Sequence, residues 1–192
     1  MAEPVSDGYP VVLRLGGRRV LVVGGGPVAA RKVDGLLVVG ALVTVVAPQV
    51  DAAIEGRSGV TVERRAYATS DLAGQRLVIA ATDDPVVQRQ VAADAEAAGI
   101  WINAADDPEN CSFFLPAVER RGSVVVAVST QGASPALASH LRDRIAEALP
   151  ANVDAVCADL GRQRREVHEA GGSTEDVDWV ERIYDTFERF AG

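Results

Sequence analysis

The first chemically informative segment has Gly24, Gly26 and Ala29 at the spacing G-x-G-x-x-A, directly after an apolar run. In a strand–turn–helix unit the first glycine permits a tight turn and the second lets the backbone approach a pyrophosphate. The N–H groups of the following helix, with Pro27 and Val28 in its first turn, would then face the phosphates. The segment therefore predicts a dinucleotide site. The alternative is a glycine-rich turn that binds nothing.

The second apolar run ends at Ala47-Pro48-Gln49. Dinucleotide sites of this kind usually carry Asp or Glu there, to hold the ribose hydroxyls. No Arg follows at once to hold a 2′-phosphate either. We expect Pro48 and Gln49 to meet the ribose through backbone groups, and this position leaves NAD versus NADP open.

Acidic residues follow two later apolar runs. Thr82 and Asp83 come after one run and are expected to line the cofactor, whereas Asp84, just before a proline, is expected to cap the next helix. Asp106 follows the other run, where a carboxylate could move a proton beside a nicotinamide. From these residues alone, a simple Asp-Pro turn at Asp106-Asp107 explains the segment at least as well.

A polar loop with a glycine precedes a helical stretch further along the chain. Ser129 and Thr130 open this loop, and Ser134 stands at the expected N-cap, followed by proline. Such a helix start can bind an anion, and a plain capped helix is the alternative.

The elements that must position these residues alternate between strand and helix. Strands that are apolar on both faces and separated by helices indicate a parallel sheet covered on both sides, which is a Rossmann-type doubly wound α/β fold. The predicted strands are 19–23, 42–46, 60–65, 77–81 and 100–104, and the clearest helices are 27–39 and 84–98.

The alternation stops near residue 113. Residues 113–121 and 123–129 are predicted strands too close for a crossover helix, so they form a hairpin or leave the sheet. A helix follows, with its apolar stripe at Leu137, Leu141, Ile145 and Leu149, and it ends at a proline. The predicted organisation is a dinucleotide-binding domain over 1–112, a dimerisation region over 113–150 and a helical C-terminal domain over 151–192.

Composition excludes several classes of protein. The net charge of −8 argues against nucleic-acid binding, which needs a basic surface. The longest apolar stretch is shorter than the ~20 residues of a membrane helix, and no signal peptide is visible. Two cysteines and two histidines form no metal-like cluster, so we expect no protein-bound metal and a reducing, cytoplasmic location.

These motifs occur in an order that resembles the precorrin-2 dehydrogenase family, which includes the N-terminal module of siroheme synthases. Two positions depart from the family's usual pattern, with Gln88 in place of Asn and Ala133 in place of a longer residue. The similar segments are VLVVGGGPVAARK (20–32), VTVVAP (43–48), LVIAATDDP (77–85), INAADDPENCSFFLPAV (102–118) and VAVSTQGASPALASHLR (126–142).

The resemblance implies NAD-dependent oxidation of precorrin-2 to sirohydrochlorin by an intertwined homodimer. Some members of the family also insert iron, and the sequence leaves that activity open. The family's key acidic residue corresponds to Asp106, which would take a proton or orient the macrocycle. A tetrapyrrole rich in carboxylates needs positive groups, so Ser129, Thr130, Ser134 and Arg120 are expected to contact the substrate, with Arg121 and Arg142 as further candidates.

Two other functions fit the same fold. One is an NAD(P)-dependent dehydrogenase that acts on another substrate. The other is a non-catalytic NAD-sensing module that gates a partner, because a fold by itself does not establish chemistry.

Overall fold

The structure is a computed structural model that describes residues 8–190, and the chain divides between residues 115 and 116 into two compact units. Each unit is described by itself. The predicted further division at residue 150 stays a prediction.

The first unit is a five-stranded parallel sheet flanked by helices, which confirms the predicted Rossmann-type class. The strand order is β3-β2-β1-β4-β5. The chain therefore winds outward from β1 through β2 and β3, and then crosses to the other side of β1 for β4 and β5. The elements are β1 (Arg19–Val23), α1 (Pro27–Val38), β2 (Leu42–Val46), β3 (Val60–Glu63), β4 (Leu77–Ala80), α2 (Pro85–Ala97) and β5 (Trp101–Ala104).

The packing of strand β1 explains why its residues 20–23 are all apolar. Val20 and Val22 pack on the face covered by α1, and Leu21 and Val23 pack on the face covered by α2. All four are buried, because the central strand of a doubly wound sheet has no solvent face.

Five of the seven predicted strands are shorter in the structure, and the physical reason is clear for two of them. Strand β3 ends at Glu63 rather than at residue 65, because Arg65 turns away and binds Asp71 with both guanidinium nitrogens. The strand predicted over 113–121 begins at Ala117. The preceding segment instead folds back on β5, where the carbonyl of Phe113 accepts a hydrogen bond from Asn103 Nδ2 at 3.0 Å.

The second unit contains a hairpin and three helices. The hairpin is antiparallel, as the short spacing predicts, and Gly122 in its turn has φ +57°. The non-helical segment Gly171-Gly172-Ser173 lies between the last two helices. The elements are β6 (Ala117–Arg121), β7 (Val124–Val128), α3 (Pro135–Ala148), α4 (Val153–Glu169) and α5 (Trp179–Arg189).

Candidate functional site

The register of the parallel sheet brings four strand ends to the same level. Val23 of β1 pairs with Val46 of β2 and with Ala80 of β4, which in turn pairs with Ala104 of β5. The residues that follow these strands therefore lie along one edge, on both sides of the point where the winding changes direction. Ligands of open α/β sheets bind in this crevice.

The glycine loop follows β1 at the centre of that edge, and Gly24 in it has no room for a side chain. Its φ is +120°, a conformation that L side chains rarely adopt. A Cβ at this position would lie 2.9 Å from Thr82 N and closer still to the carbonyl oxygen of Ala81. The tight approach of β1 to the segment after β4 therefore excludes any side chain.

Gly26 differs from Gly24, because a Cβ there would have no atom within 4 Å. Gly26 is the N-cap of α1, it provides no side-chain cap, and the first turn of that helix holds no acidic residue. The first backbone N–H groups of a helix have no partner within the helix. The space and the donors fit the pyrophosphate of a dinucleotide, with Pro27 and Val28 in the first turn beside it.

The loop after β2 borders the glycine loop. Asp51 N donates to the carbonyl of Gly25 at 2.7 Å, which anchors this loop in place. The side chains of Pro48 and Gln49 are exposed at the sheet edge. Both residues therefore lie beside the glycine loop, at the position where the ribose of a dinucleotide would be expected.

The segment after β4 combines a capping role with free polar groups. Asp84 Oδ1 accepts hydrogen bonds from the N–H groups of Val86 and Val87, which confirms that Asp84 caps α2. Thr82 Oγ1 accepts from Asp84 N at 3.2 Å, and Asp83 is exposed. Asp83 is thus solvent-accessible at this edge, and Thr82 shapes the turn beside it.

Asp106 follows β5 in a left-handed backbone conformation, with φ +58°. Its neighbours are held in place, because Ala105 N donates to Ala80 O at 2.8 Å and Asp107 N donates to Ala104 O. Within residues 8–190, the exposed Asp106 carboxylate has no hydrogen bond or ion pair. Aspartate adopts this conformation readily in turns, so the geometry agrees with both the functional interpretation of Asp106 and a simple turn.

Asp107 belongs to the turn, as its position before proline predicts. It precedes a short 3₁₀ helix over Pro108–Asn110, and its Oδ2 accepts from Asn110 Nδ2 at 2.8 Å. The two neighbouring aspartates are thus distinguished by their contacts, since one is engaged locally and the other is free.

Cys111 is a residue whose position sequence reasoning missed. Its Sγ donates to the carbonyl of Ala104 and accepts from Ala104 N, both at 3.2 Å, which fastens the 3₁₀ segment to the end of β5. Burial raises the pKa of the Cys111 thiol, the largest of several influences on it. The protonated thiol therefore acts as a local hydrogen-bonding group behind Asp106.

Gln88 and Lys32 also lie behind this edge of the sheet. The sequence alone predicted no such role for either residue. Gln88 Nε2 donates to the carbonyl of Ala105 at 2.9 Å, directly before Asp106, while its Oε1 is buried without a partner. Gln88 therefore holds the backbone that presents Asp106. Lys32, on α1, is half-buried, and this burial is the main reason that its pKa is lowered. The similarity of the GGGxVAxRK segment was the only sequence signal for Lys32.

The residues predicted to contact the substrate lie in the second unit. Three of them, Ser129, Thr130 and Ser134, make hydrogen bonds within one loop. Thr130 Oγ1 accepts from Ser134 N at 3.0 Å, and Ser134 Oγ accepts from Leu137 N, which confirms Ser134 as a cap. Ser129 Oγ accepts from Gln131 N, and Gln131 has φ +53°. The loop is therefore preshaped by its own hydroxyl groups.

The three candidate arginines of the second unit differ in whether they already have hydrogen-bond or ion-pair partners. Arg121 donates to the carbonyls of Ala146 and Leu149, both at 2.6 Å, and Arg142 pairs with Asp143. Exposed Arg120 has no such partner in the part of the chain that the structure describes. Of the three candidates, Arg120 is the one available to an anionic ligand.

Residues 8–190 contain no helix long and apolar enough to cross a membrane. They also contain no group of three or more His, Cys, Asp or Glu side chains arranged to hold a metal ion.

Comparison with known proteins gives consistent matches over both units. The family model described as putative NAD(P)-binding matches residues 11–117, and the model for the central part of sirohaem biosynthesis proteins matches residues 121–148. The solved structure of SirC, a precorrin-2 dehydrogenase, superposes with a TM-score of 0.70 at 30% identity. That comparison covers 94% of this chain and 88% of SirC.

Longer proteins are also similar. Siroheme synthases from Gluconacetobacter diazotrophicus and Pseudomonas putida are each 43% identical to this chain, over 86% and 84% of it. The chain spans only 40% and 35% of the lengths of those two relatives.

Proposed function

Because the chain belongs to the precorrin-2 dehydrogenase and siroheme synthase N-terminal domain family, we propose that it oxidises precorrin-2 to sirohydrochlorin with NAD. One observation carries this proposal. The strand register places two features on the same edge of the sheet. One is the glycine loop at the start of α1, where no side chain caps the helix. The other is Asp106, which has a left-handed backbone conformation and no partner among the described residues. A dinucleotide and a proton acceptor are the two components that such an oxidation needs.

The cofactor is held by residues of the first unit. The N–H groups after Gly26 bind the pyrophosphate, and backbone groups of Pro48 and Gln49 meet the ribose. Thr82 and Asp83 line the crevice on the other side of the glycine loop. NAD held by these residues would supply the acceptor for a hydride.

Asp106 takes the proton that balances the hydride. Oxidation of precorrin-2 removes two hydrogens, one leaving with its electron pair to the nicotinamide and the other leaving as a proton. The carboxylate of Asp106 is exposed and free to accept that proton from the macrocycle. The products are sirohydrochlorin, NADH and a protonated Asp106, which then releases its proton to water.

Positive and hydrogen-bonding groups of the second unit bind the carboxylates of the substrate. Of the three candidate arginines, Arg120 is the one without a partner among the described residues. An Arg–carboxylate contact is strong when two N–H groups donate in parallel. The preshaped loop with Ser129, Thr130 and Ser134 supplies backbone N–H groups at the start of α3.

The direct test mixes the purified chain with precorrin-2 and NAD. We expect the absorbance of sirohydrochlorin and that of NADH to rise together, in equal amounts. An NAD-sensing module would bind NAD and form no NADH. A dehydrogenase with another substrate would leave precorrin-2 unchanged. A parallel reaction with sirohydrochlorin and ferrous ion, without NAD, tests for the iron insertion that some family members perform.

We propose that the protein works as a homodimer, in the cytoplasm. Helix α3 carries an apolar stripe that residues 8–190 leave partly exposed, with Leu137 48%, Leu141 41% and Ile145 40% exposed. Residues at i, i+4 and i+8 lie along one face of a helix. A second copy of the chain would cover this face, which lies within the predicted dimerisation region 113–150.

Replacing Leu141 with Glu should convert the dimer into a 20 kDa monomer at micromolar concentration. The new carboxylate would be buried without a partner at the dimer interface, which costs several kcal/mol. Sedimentation velocity measures the change. His140→Glu, at the next and equally exposed position of α3, is the matched control and should remain dimeric. A parent protein that sediments as a monomer would contradict the proposed assembly.

A further inference from the structure

A pocket of about 430 Å³ opens at the edge of the sheet opposite the crevice, where the parallel strands begin. Arg18 directly precedes β1, Arg76 directly precedes β4, and Trp101 is the first residue of β5. Because β1 is five residues long and a strand rises by about 3.3 Å per residue, this edge lies ~16 Å from the glycine loop. The pocket therefore belongs to the first unit and is separate from the candidate dinucleotide site.

The backbone around this pocket is held by hydrogen bonds. Arg18 N donates to the carbonyl of Leu15, and Arg76 N donates to the carbonyl of Arg19, both at 2.9 Å. These bonds fix the segment before β1 and the start of β4 relative to each other. The pocket is thus formed in the absence of a ligand, as most small-molecule sites are.

Part of the lining is apolar. Leu77 is buried at the start of β4, and Leu13 and Leu15 pack against the same core cluster. Trp101 is paired with Leu77 in the strand register, and half of its surface, 50%, is exposed. A half-exposed indole beside leucine side chains offers a flat apolar face on which a planar ring can stack.

The rest of the lining is cationic. Arg14, Arg18 and Arg76 are exposed, and among residues 8–190 their side chains have no hydrogen bond or ion pair and no carboxylate lines the pocket. Arginines elsewhere, such as Arg65 and Arg162, pair with carboxylates, as a chain of net charge −8 allows. Three unpaired guanidinium groups around one pocket repel one another, and a bound anion would remove that repulsion.

We propose that this pocket binds a nucleoside polyphosphate, with its base on Trp101 and its phosphates on Arg14, Arg18 and Arg76. A guanidinium group donates two parallel N–H groups to a phosphate, and a planar base stacks on an indole. The pocket volume lies within the roughly 300–1,000 Å³ of small-molecule sites. The proposal does not depend on the oxidation proposed above, since the two sites lie at opposite ends of the strands.

Tryptophan fluorescence tests this site directly, because the chain has only two tryptophans. Trp179→Phe leaves Trp101 as the sole reporter, and a second change, Gly26→Asp, is included to close the dinucleotide site to adenine nucleotides. We expect ATP, without magnesium, to change the Trp101 emission of this double variant with saturation below millimolar concentration. The absence of a saturable change up to roughly 10 mM ATP would overturn the proposal.

Two variants in the Gly26→Asp background separate the phosphate contacts from the stacking contact. In calorimetric titrations with ATP, Arg18→Gln and Trp101→Leu should each weaken binding by roughly tenfold, because a hydrogen bond to a charged group and stacking on an aromatic ring each contribute about that much. Arg89→Gln is the matched control. It removes the same charge from an exposed arginine of α2 outside the pocket, and it should bind ATP as its background does.

Two results would contradict the site. Equal losses in Arg18→Gln and Arg89→Gln would show that ATP is attracted by overall charge and not by the pocket. Inorganic tripolyphosphate has the phosphates without the base, so we expect it to bind roughly tenfold more weakly than ATP. Equal affinities for the two would overturn the contact between the base and Trp101.

Discussion

Asp106→Asn is expected to lower the turnover of precorrin-2 by roughly 10²–10⁴-fold, because loss of a general base typically costs that much. The affinity for NAD should stay at the parental value, since Asp106 follows β5, two strands away from the glycine loop that follows β1. NADH formation measures the first quantity and fluorescence titration with NADH the second. Asparagine has nearly the shape of aspartate and cannot accept the proton.

Asparagine is also the right replacement for the backbone. Asp106 has φ +58°, and Asn is among the few residues that adopt this region readily, whereas Ala would add strain. A folding defect therefore cannot imitate the catalytic loss.

Asp107→Asn is the matched control for Asp106→Asn. Asp107 accepts a hydrogen bond from Asn110, and an amide oxygen can still accept it. We expect this variant to retain most of the parental turnover. If Asp107→Asn lost more activity than Asp106→Asn, the catalytic carboxylate would have been assigned to the wrong residue.

Gly26→Asp is expected to weaken NAD binding by roughly 100-fold or more while the fold stays intact. The open space at Gly26 would then hold a carboxylate facing the pyrophosphate, and a like-charge contact of this kind costs several kcal/mol. Aspartate is a favourable N-cap, so α1 should gain stability rather than lose it. Calorimetric titration with NAD and thermal unfolding measure the two effects.

Two further variants isolate the cause of that loss. Gly35→Asp adds the same charge to the same helix at an exposed position with open space, and should bind NAD as the parent does. Gly26→Ala adds only a methyl group, and should give an intermediate loss. Parental NAD affinity in a folded Gly26→Asp variant would show that the pyrophosphate binds elsewhere.

Local patterns were sufficient to predict the elements and the helix starts, whereas several strand ends differ from the prediction. The apolar runs, the glycine spacing and the residues at helix starts depend only on neighbours in the chain, because capping and turn formation involve contacts a few residues apart. Asp84, Ser134 and the hairpin turn at Gly122 are therefore found where the sequence predicts them. The resemblance of five segments to one family also indicated Asp106 in advance.

The sequence by itself thus determined which segments form strands, helices and turns, and which carry polar groups at their ends. Only the tertiary structure decided which of those ends meet, because strand order and register are set by packing across the whole sheet. Packing of α2 on the sheet brings Gln88 to the carbonyl directly before Asp106, and the segment after Asp106 folds back so that Cys111 bonds to the end of β5. The tertiary structure also established that Asp106 is free while Asp107 is engaged, since the difference depends on a φ angle and one hydrogen bond that no residue pattern encodes.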